Sequence, residues 1–524
     1  MKRMNLRPTA LFLVLLLAVS LLVSCSAAPS PNDSYEEGLF PSDCPSMGQD
    51  ESLVSPPEDT ENGFRENPFV SAADSPISTF SSDVDTASYS YFRKLIENGY
   101  SFDSIRASHG AELRTEEMLN YFSYGYTAPI EGDLFGIRTE IAPCPWNEET
   151  LLLMMNLTAA KAKPNENGNN LVFLIDVSGS MSSYDKLPLL KRAFSRLVEN
   201  LTAEDRISIV TYSGEEKVVL EACRGDDRET ILAAINSLSA SGSTNGQAGI
   251  QKAYEIAESC KIVGGNNRII MASDGDLNVG ISSTSDLKKF IASKRDAGIF
   301  LSVLGFGTGN YKDEKMEALA DNGNGVYYYI DGEREAERIF GEGLLSTLYT
   351  VGKDVKLQLT FDPAVIAEYR LIGYENRILS TEDFEDDTKD AGEVGSGHTL
   401  TVCYELKPNQ TPEGDQDETT SAIVPLSYET KNRSAALMLA VRWKEPEGSE
   451  SILREYAIDL SSVSEAPSYE FRFAVCVIET AMLLHESKYI GDVTLVDIIR
   501  ELEIMDLTDN AKSEFLSLLK LANH

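Results

Sequence analysis

A doubly wound α/β domain with a mostly parallel open sheet, set between β-sandwich and helical extension segments, is the fold class that the sequence predicts. Three observations predict it. From residue 171 apolar strand patterns alternate with amphipathic helices, as in a parallel sheet covered on both faces. Strand patterns also abut this region on both sides. At 524 residues the chain exceeds the roughly 250 to 300 that one hydrophobic core fills. With 42% hydrophobic and 25% charged residues, it has the composition of a folded globular protein.

Taken in order, Lys2, Arg3 and Arg7 precede an apolar run, 11–23, broken only by Ser20. That run is shorter than the roughly 20 residues of a membrane span, so residues 1–24 read as a cleaved export signal. Residues 25–75, rich in Ser, Pro, Asp, Glu and Asn, read as a disordered tether. Residues 76–169 form an N-terminal extension, ordered from near Ser78. It should hold a helix capped by Asp85-Thr86 and running through Ile96, and a second over 115–122. Two strands, 135–141 and 151–157, flank a Pro143-Cys144-Pro145-Trp146 turn. Residues 161–170 read as a linker.

The central domain, 170–350, opens on Leu171-Val172-Phe173-Leu174-Ile175, a continuous apolar run suited to a strand buried on both faces. Further strands are expected at 207–212, 268–272, 299–304 and 326–330, with 218–220 as an edge. Helices fit at 187–201, 228–238, 246–259, 285–297, 313–321 and 333–348. In the C-terminal extension, 351–524, strands at 355–361, 366–372, 398–404 and 436–443 are separated by acidic loops at 381–393 and 412–420. Helices follow at 471–485, 495–503 and 510–522. The flanking strands are expected to join into one discontinuous sandwich that the central domain interrupts, with Ile137 paired into it alongside Leu357.

Charge and motif content narrow the function. The balance of 46 Lys+Arg against 83 Asp+Glu gives a net charge of -37, which repels phosphate backbones, so nucleic acid is not an expected partner. Besides Cys25, cysteines stand at 44, 144, 223, 260, 403 and 476 without a C-x-x-C pair. No zinc cage is expected, and their disulfide state stays open. Histidines 109, 398, 485 and 524 share no local motif with nucleophile or carboxylate partners, and G-x-S-x-G, H-E-x-x-H and phosphate-loop motifs do not occur. A binding protein is expected, not an enzyme. Gly305-Phe306-Gly307-Thr308-Gly309-Asn310 lacks dinucleotide-loop spacing and reads as a flank of the ligand face.

That face is set by Asp176-Val177-Ser178-Gly179-Ser180, at the C-terminal edge of the first central strand, where doubly wound sheets bind ligands. One carboxylate and two hydroxyls are hard oxygen donors of the kind Mg²⁺ prefers, and they bring only one full negative charge. Two more loops reach the same edge: Ser241 to Gly246 before a helix, and Ser273-Asp274-Gly275-Asp276 after a strand. Each residue alone also fits a helix cap or a turn; the order and strand-end placement of the set favour a metal. Asn245 and Asp276 match no ligand position. Asp83 and Asp85 suggest a second cation site or the cap of the following helix, with the cap preferred.

The three loops resemble the von Willebrand factor type A (VWA) domain, whose metal-ion-dependent adhesion site uses D-x-S-x-S, a Thr and an Asp. The resemblance covers about 170–350. It implies that Asp176, Ser178, Ser180 and Thr244 hold one divalent cation, Mg²⁺ foremost with Mn²⁺ or Ca²⁺ as alternatives. Asp274 would bind directly or through water. It further implies a sixth position filled by an Asp or Glu carboxylate of a protein partner. Leu22-Val23-Ser24-Cys25 resembles the lipobox of bacterial lipoproteins, which implies an acylated Cys25 and a lipid anchor on the exported side of the cell membrane or envelope. Residues 78–89, 114–122 and 471–474 resemble the extensions of YfbK-type VWA lipoproteins. The expected function is metal-dependent protein binding at the envelope; the alternative is a structural or assembly factor whose metal mainly stabilises the fold.

Overall fold

The strand Asn169–Asp176 is buried along its whole length, as an apolar run without alternation requires. It sits inside a six-stranded sheet whose order is Tyr327–Ile330, Phe300–Phe306, Asn266–Ser273, Asn169–Asp176, Arg206–Tyr212 and Glu216–Arg224. Five strands are parallel, and Glu216–Arg224 closes one edge antiparallel. The structure is a computed structural model. It describes residues 58–59, 64–163, 166–243, 246–275, 284–307, 313–409, 436–446, 448–460 and 463–524, within a unit spanning residues 52–524. Residues 1–24, expected from the sequence to be an export signal, and Cys25, Thr244, Asn245 and Asp276 lie outside these residues.

Helices cover both faces of this sheet. Leu187, Leu190, Phe194, Leu197 and Val198 line one side of helix Leu187–Glu199, and Phe194 packs on Phe173 of the buried strand with ring centroids 4.3 Å apart. On the other face, helix Gly246–Ser259 buries Ile250, Ala253, Tyr254 and Ala257. Gly249 has no room for a side chain there: a Cβ would stand 2.7 Å from the Tyr212 side chain.

Both flanks of the central domain contribute strands to a sandwich. One sheet runs Ile378–Leu379, Ile77–Ser81, Thr350–Phe361, Leu437–Lys444, Ser451–Ile458, and Gly392–Gly395 also pairs with Thr350–Phe361. The other runs Val70–Ser71, Ile366–Ile372, Thr399–Pro408, Leu151–Ala159, Phe135–Pro143. Ile137 and Leu357 therefore occupy different sheets, but each sheet mixes strands from before and after the central domain. Aromatic rings join the layers: Phe361 of one sheet stacks on Tyr369 of the other at 3.8 Å and meets Tyr404 at 5.6 Å. Helices Ala87–Glu97, Phe102–His109, Thr115–Asn120, Tyr469–His485, Leu495–Ile504 and Asn510–Ala522 form the helical extension. Among the described residues no helix is long and apolar enough to cross a membrane.

Several expectations are corrected. The tether does not reach residue 75, because Arg65–Glu66 and Val70–Ser71 are strands and Phe64 is buried. Composition hides this because the segment is held by polar groups: Asn67 Nδ2 donates to the carbonyls of Leu371 and Gly373, and Glu66 pairs with Arg370. The expected single helix over 333–348 is three pieces, Glu333–Glu337, a wider π turn at Arg338–Glu342, and Leu344–Leu348, with Gly341 and Gly343 at the break. Strand Ser451–Ile458, whose apolar residues come in blocks around Arg454-Glu455 and do not alternate, and helix Phe102–His109, where only Phe102, Ile105 and Ala107 are apolar, do not stand out by periodicity.

Arg370 is the largest buried charge of the sandwich, 1% exposed, with Nη2 2.8 Å from Glu405 and Nη1 3.1 Å from Glu66. Trp146 Nε1 and Thr150 Oγ1 also donate to Glu405, at 3.2 and 2.9 Å. Removing one member of a buried pair strands the others, so Arg370→Ala should cost about 3–5 kcal/mol in urea unfolding and expose residues 64–71 to protease. A second prediction concerns pH. Burial, reinforced by Glu501 and Asp497, pushes the Glu479 carboxyl up to about 8. The folded state thus holds a proton that the unfolded state releases in the ordinary carboxylate range. Stability from this group is present at low pH and lost as pH rises towards 8. Between pH 5 and pH 8 the parent should lose about 3 kcal/mol more than Glu479→Gln, read by denaturant titration at each pH.

Candidate metal centre

The loop after Asn169–Asp176 folds back on its own aspartate. Asp176 Oδ1 accepts the Ser178 amide at 2.8 Å, and Ser273 Oγ, from the end of the neighbouring strand, lies 3.4 Å from Oδ2. Ser178 Oγ and Ser180 Oγ stand 2.9 Å apart. The second loop is tied in by backbone bonds, Ser241 N to Val177 O at 2.7 Å and Gly179 N to Gly242 O at 3.0 Å. The third follows Asn266–Ser273 directly, with Ser273 Oγ also accepting the Gly275 amide. Strand register places Asp176 opposite Tyr212, and Ile175 opposite Ala272, so the loops emerge at one edge.

Asp176, Ser178, Ser180 and Asp274 are therefore brought together as the sequence suggested; Thr244 lies outside the described residues, two positions from Gly242 of the same loop. The donor set fits a small hard cation. Asp176 is 0% exposed, and among the described residues it pairs with no lysine or arginine. Burial first, then the Asp274 charge, against the hydrogen bonds from Ser178 and Ser273, push its carboxyl up to about 6. A carboxylate desolvated in this way favours a bound cation. The two hydroxyls hydrogen-bond to each other, which holds both oxygens on the one turn beside Asp176.

Sequence reasoning missed Lys186. Its ammonium donates to Asp274 Oδ2 at 2.8 Å, which neutralises the carboxylate of the third loop. Nothing in the sequence marks a lysine there, since its position depends on the turn through Ser183 and on Gly307. A Cβ on Gly307 would lie 2.2 Å from Lys186 Cε, and its φ of +76° independently favours glycine. The strand Phe300–Phe306 thus ends beside the metal face, as read from the sequence, although 308–310 lie outside the described residues. Asp83 and Asp85 do not cap their helix through Thr86, which makes no side-chain capping bond. Asp83 pairs with Arg377 at 2.8 Å, Glu317 with Arg114 at 2.6 Å, and the Asp85 carboxylate accepts the Tyr327 amide. Guanidinium groups serve as the cations of that cluster. The histidines serve the scaffold, His398 bonded to Tyr328 and His485 to the Leu113 carbonyl.

The fold and this loop set define a VWA domain protein: residues 170–342 match the von Willebrand factor type A domain family. Residues 346–524 match the family described as uncharacterized protein YfbK, C-terminal, and residues 57–154 the one described as von Willebrand factor. The chain is 37% identical over 470 residues to uncharacterized protein YfbK of Escherichia coli strain K12, covering 88% of this chain and 80% of that protein. It belongs to the YfbK family. Inter-alpha-trypsin inhibitor heavy chain H3 of Homo sapiens is 27% identical over 177 residues, 32% of this chain and 20% of that protein. Among solved structures, von Willebrand factor type A from Catenulispora acidiphila aligns over 75% of this chain and 91% of its own, with 14% identity and a TM-score of 0.41.

Lys186 supplies a positive charge that any cation at this site must oppose. Lys186→Met should therefore tighten Mg²⁺ binding several-fold in calorimetric titration, with a smaller gain at high salt. Unchanged or weaker binding would show that Lys186 orients Asp274 without competing with the ion.

Proposed function

We propose that this protein is a metal-dependent protein-binding lipoprotein of the cell envelope, acting through the loops at Asp176, Ser178, Ser180, Thr244 and Asp274. The observation that carries this reading is Asp176, fully buried and paired with no lysine or arginine among the described residues, beside the hydroxyls of Ser178 and Ser180. VWA domains commonly bind one divalent metal at such loops and commonly mediate protein interaction. With Asp274 already engaged by Lys186, a bound Mg²⁺ would face a single uncompensated carboxylate. The cation would supply a Lewis-acidic seat for an Asp or Glu carboxylate of the partner. Tyr184, 73% exposed on the same loop, offers an aromatic anchor of the kind that dominates binding interfaces. Acylation at Cys25 would hold the chain at the membrane on the exported side.

The alternative, a structural or assembly factor whose cation mainly stabilises the fold, is favoured by the backbone bonds that tie the first loop to the second. Affinity capture from envelope extracts, run in Mg²⁺ and in chelator, separates the two readings. For the binding reading, Asp176→Ala should abolish the Mg²⁺-dependent capture of a protein while leaving the melting temperature within a few degrees. Intact capture combined with a large loss of melting temperature would establish the structural role.

A further inference from the structure

At the edge of the central sheet opposite Asp176, where strand Phe300–Phe306 begins, the central domain meets the sandwich around a cavity of about 510 Å³. Arg295 and Gly298 line it from one side, Asp354, Asp390 and Lys444 from the other. Carboxylate oxygens of Asp354, Asp390 and Glu393 all lie within 4.8 Å of one another. Two of the three have a cation: Lys444 Nζ is 2.7 Å from Asp354, and Arg295 Nη1 is 3.0 Å from each oxygen of Asp390. Glu393 differs. It is 8% exposed, and among the described residues neither of its oxygens has a hydrogen-bond partner.

A buried carboxyl without donors is unfavourable unless a proton or a cation completes it. Burial first, then the Asp354 and Asp390 charges, hold the Glu393 carboxyl well above its usual range, against the Arg295 charge. The cluster of Asp83, Asp85 and Glu317 differs, because Arg377 and Arg114 pair with two of its carboxylates and the third, Asp85, accepts the Tyr327 amide. All three groups here are hard oxygen donors. Ca²⁺ takes oxygens at about 2.3–2.6 Å, so its ligands stand up to about 5 Å apart, a span that contains this cluster, and it tolerates the irregular, partly hydrated geometry of an open rim. Asp390, 53% exposed, forms that rim, and the cavity leaves space for water ligands.

We propose that Asp354, Asp390 and Glu393 form a second cation site, selective for Ca²⁺, at the junction between the central domain and the sandwich. The strand separating it from the Asp176 loops is eight residues long, so the two sites stand on the order of 20 Å apart and act independently. The acidic loop at 381–393 then has a role beyond connecting strands, because it carries two of the three ligands.

The test is calcium calorimetry and thermal melting of the full chain carrying Asp176→Ala, which removes the first site. This chain should bind one Ca²⁺, melt several degrees higher in Ca²⁺, and prefer Ca²⁺ to Mg²⁺ at least tenfold. Adding the isosteric Glu393→Gln should weaken Ca²⁺ at least tenfold and remove the thermal shift; Asp390→Asn, at the exposed rim, should weaken it several-fold without disturbing the fold. Absence of Ca²⁺ uptake by the Asp176→Ala chain, equal uptake after Glu393→Gln, or equal affinity for Mg²⁺ would overturn the proposal.

Discussion

The rest of the structure depends on where the chain crosses into and out of the central sheet. The sandwich is assembled from strands on both sides of that domain, so it closes only if the entry near residue 160 and the exit near residue 349 are held together. A single turn does this. Ser396 Oγ accepts the Ala162 amide at 2.9 Å, Gly397 N donates to the Ala160 carbonyl at 3.0 Å, and Ser396 N donates to Tyr349 O at 2.7 Å. From the central side, Asn266 Nδ2 reaches both Asn169 and the Leu348 carbonyl. Because these backbone and side-chain polar groups are part-buried, leaving them unpaired would cost more than the bonds themselves contribute. The crossing therefore fixes the start of the central sheet against the sandwich.

The opposite edge of the central sheet is gripped by the helical extension. Arg93, 3% exposed on helix Ala87–Glu97, forms a two-pronged pair with Asp331 and also meets Glu335 and Glu514. Asp331 follows the strand Tyr327–Ile330 and so belongs to the same edge as Asp176. Lys94, the next residue, lies 3.8 Å from Asp185 and above the ring of Tyr184, on the loop that carries Lys186. The extension of this family thus reaches the flank of the metal loop. The N-terminal helix braces the loop beside the ligand face at Asp185 and Tyr184, and leaves Tyr184 largely exposed.

Much of this was legible in the sequence where the information is local. The continuous apolar run 171–175 suits a strand covered on both faces, and D-x-S-x-S immediately after it places three donors on one turn. The helix faces of 187–199 and 246–259 follow from apolar spacing alone. What escaped is long-range or polar. Glu66 and Arg370 are 304 residues apart, and their pairing orders a segment whose composition reads as tether. Lys186 acts on Asp274 through a turn that no periodicity records. The break at Arg338–Glu342 reflects two glycines competing with an otherwise helical pattern. Ion pairs and side-chain-to-backbone bonds carry no period, so sequence patterns pass over them.

The central claim is that the loops at Asp176 hold one hard divalent cation. Anomalous diffraction from crystals of the full chain grown with Mn²⁺ tests it most directly, because manganese scatters where Mg²⁺ would bind. The account predicts a single strong peak at this edge of the sheet, within about 2.3 Å of Asp176, Ser178 or Ser180 oxygens. A peak absent from these loops, with Lys186 still seated on Asp274, would contradict it.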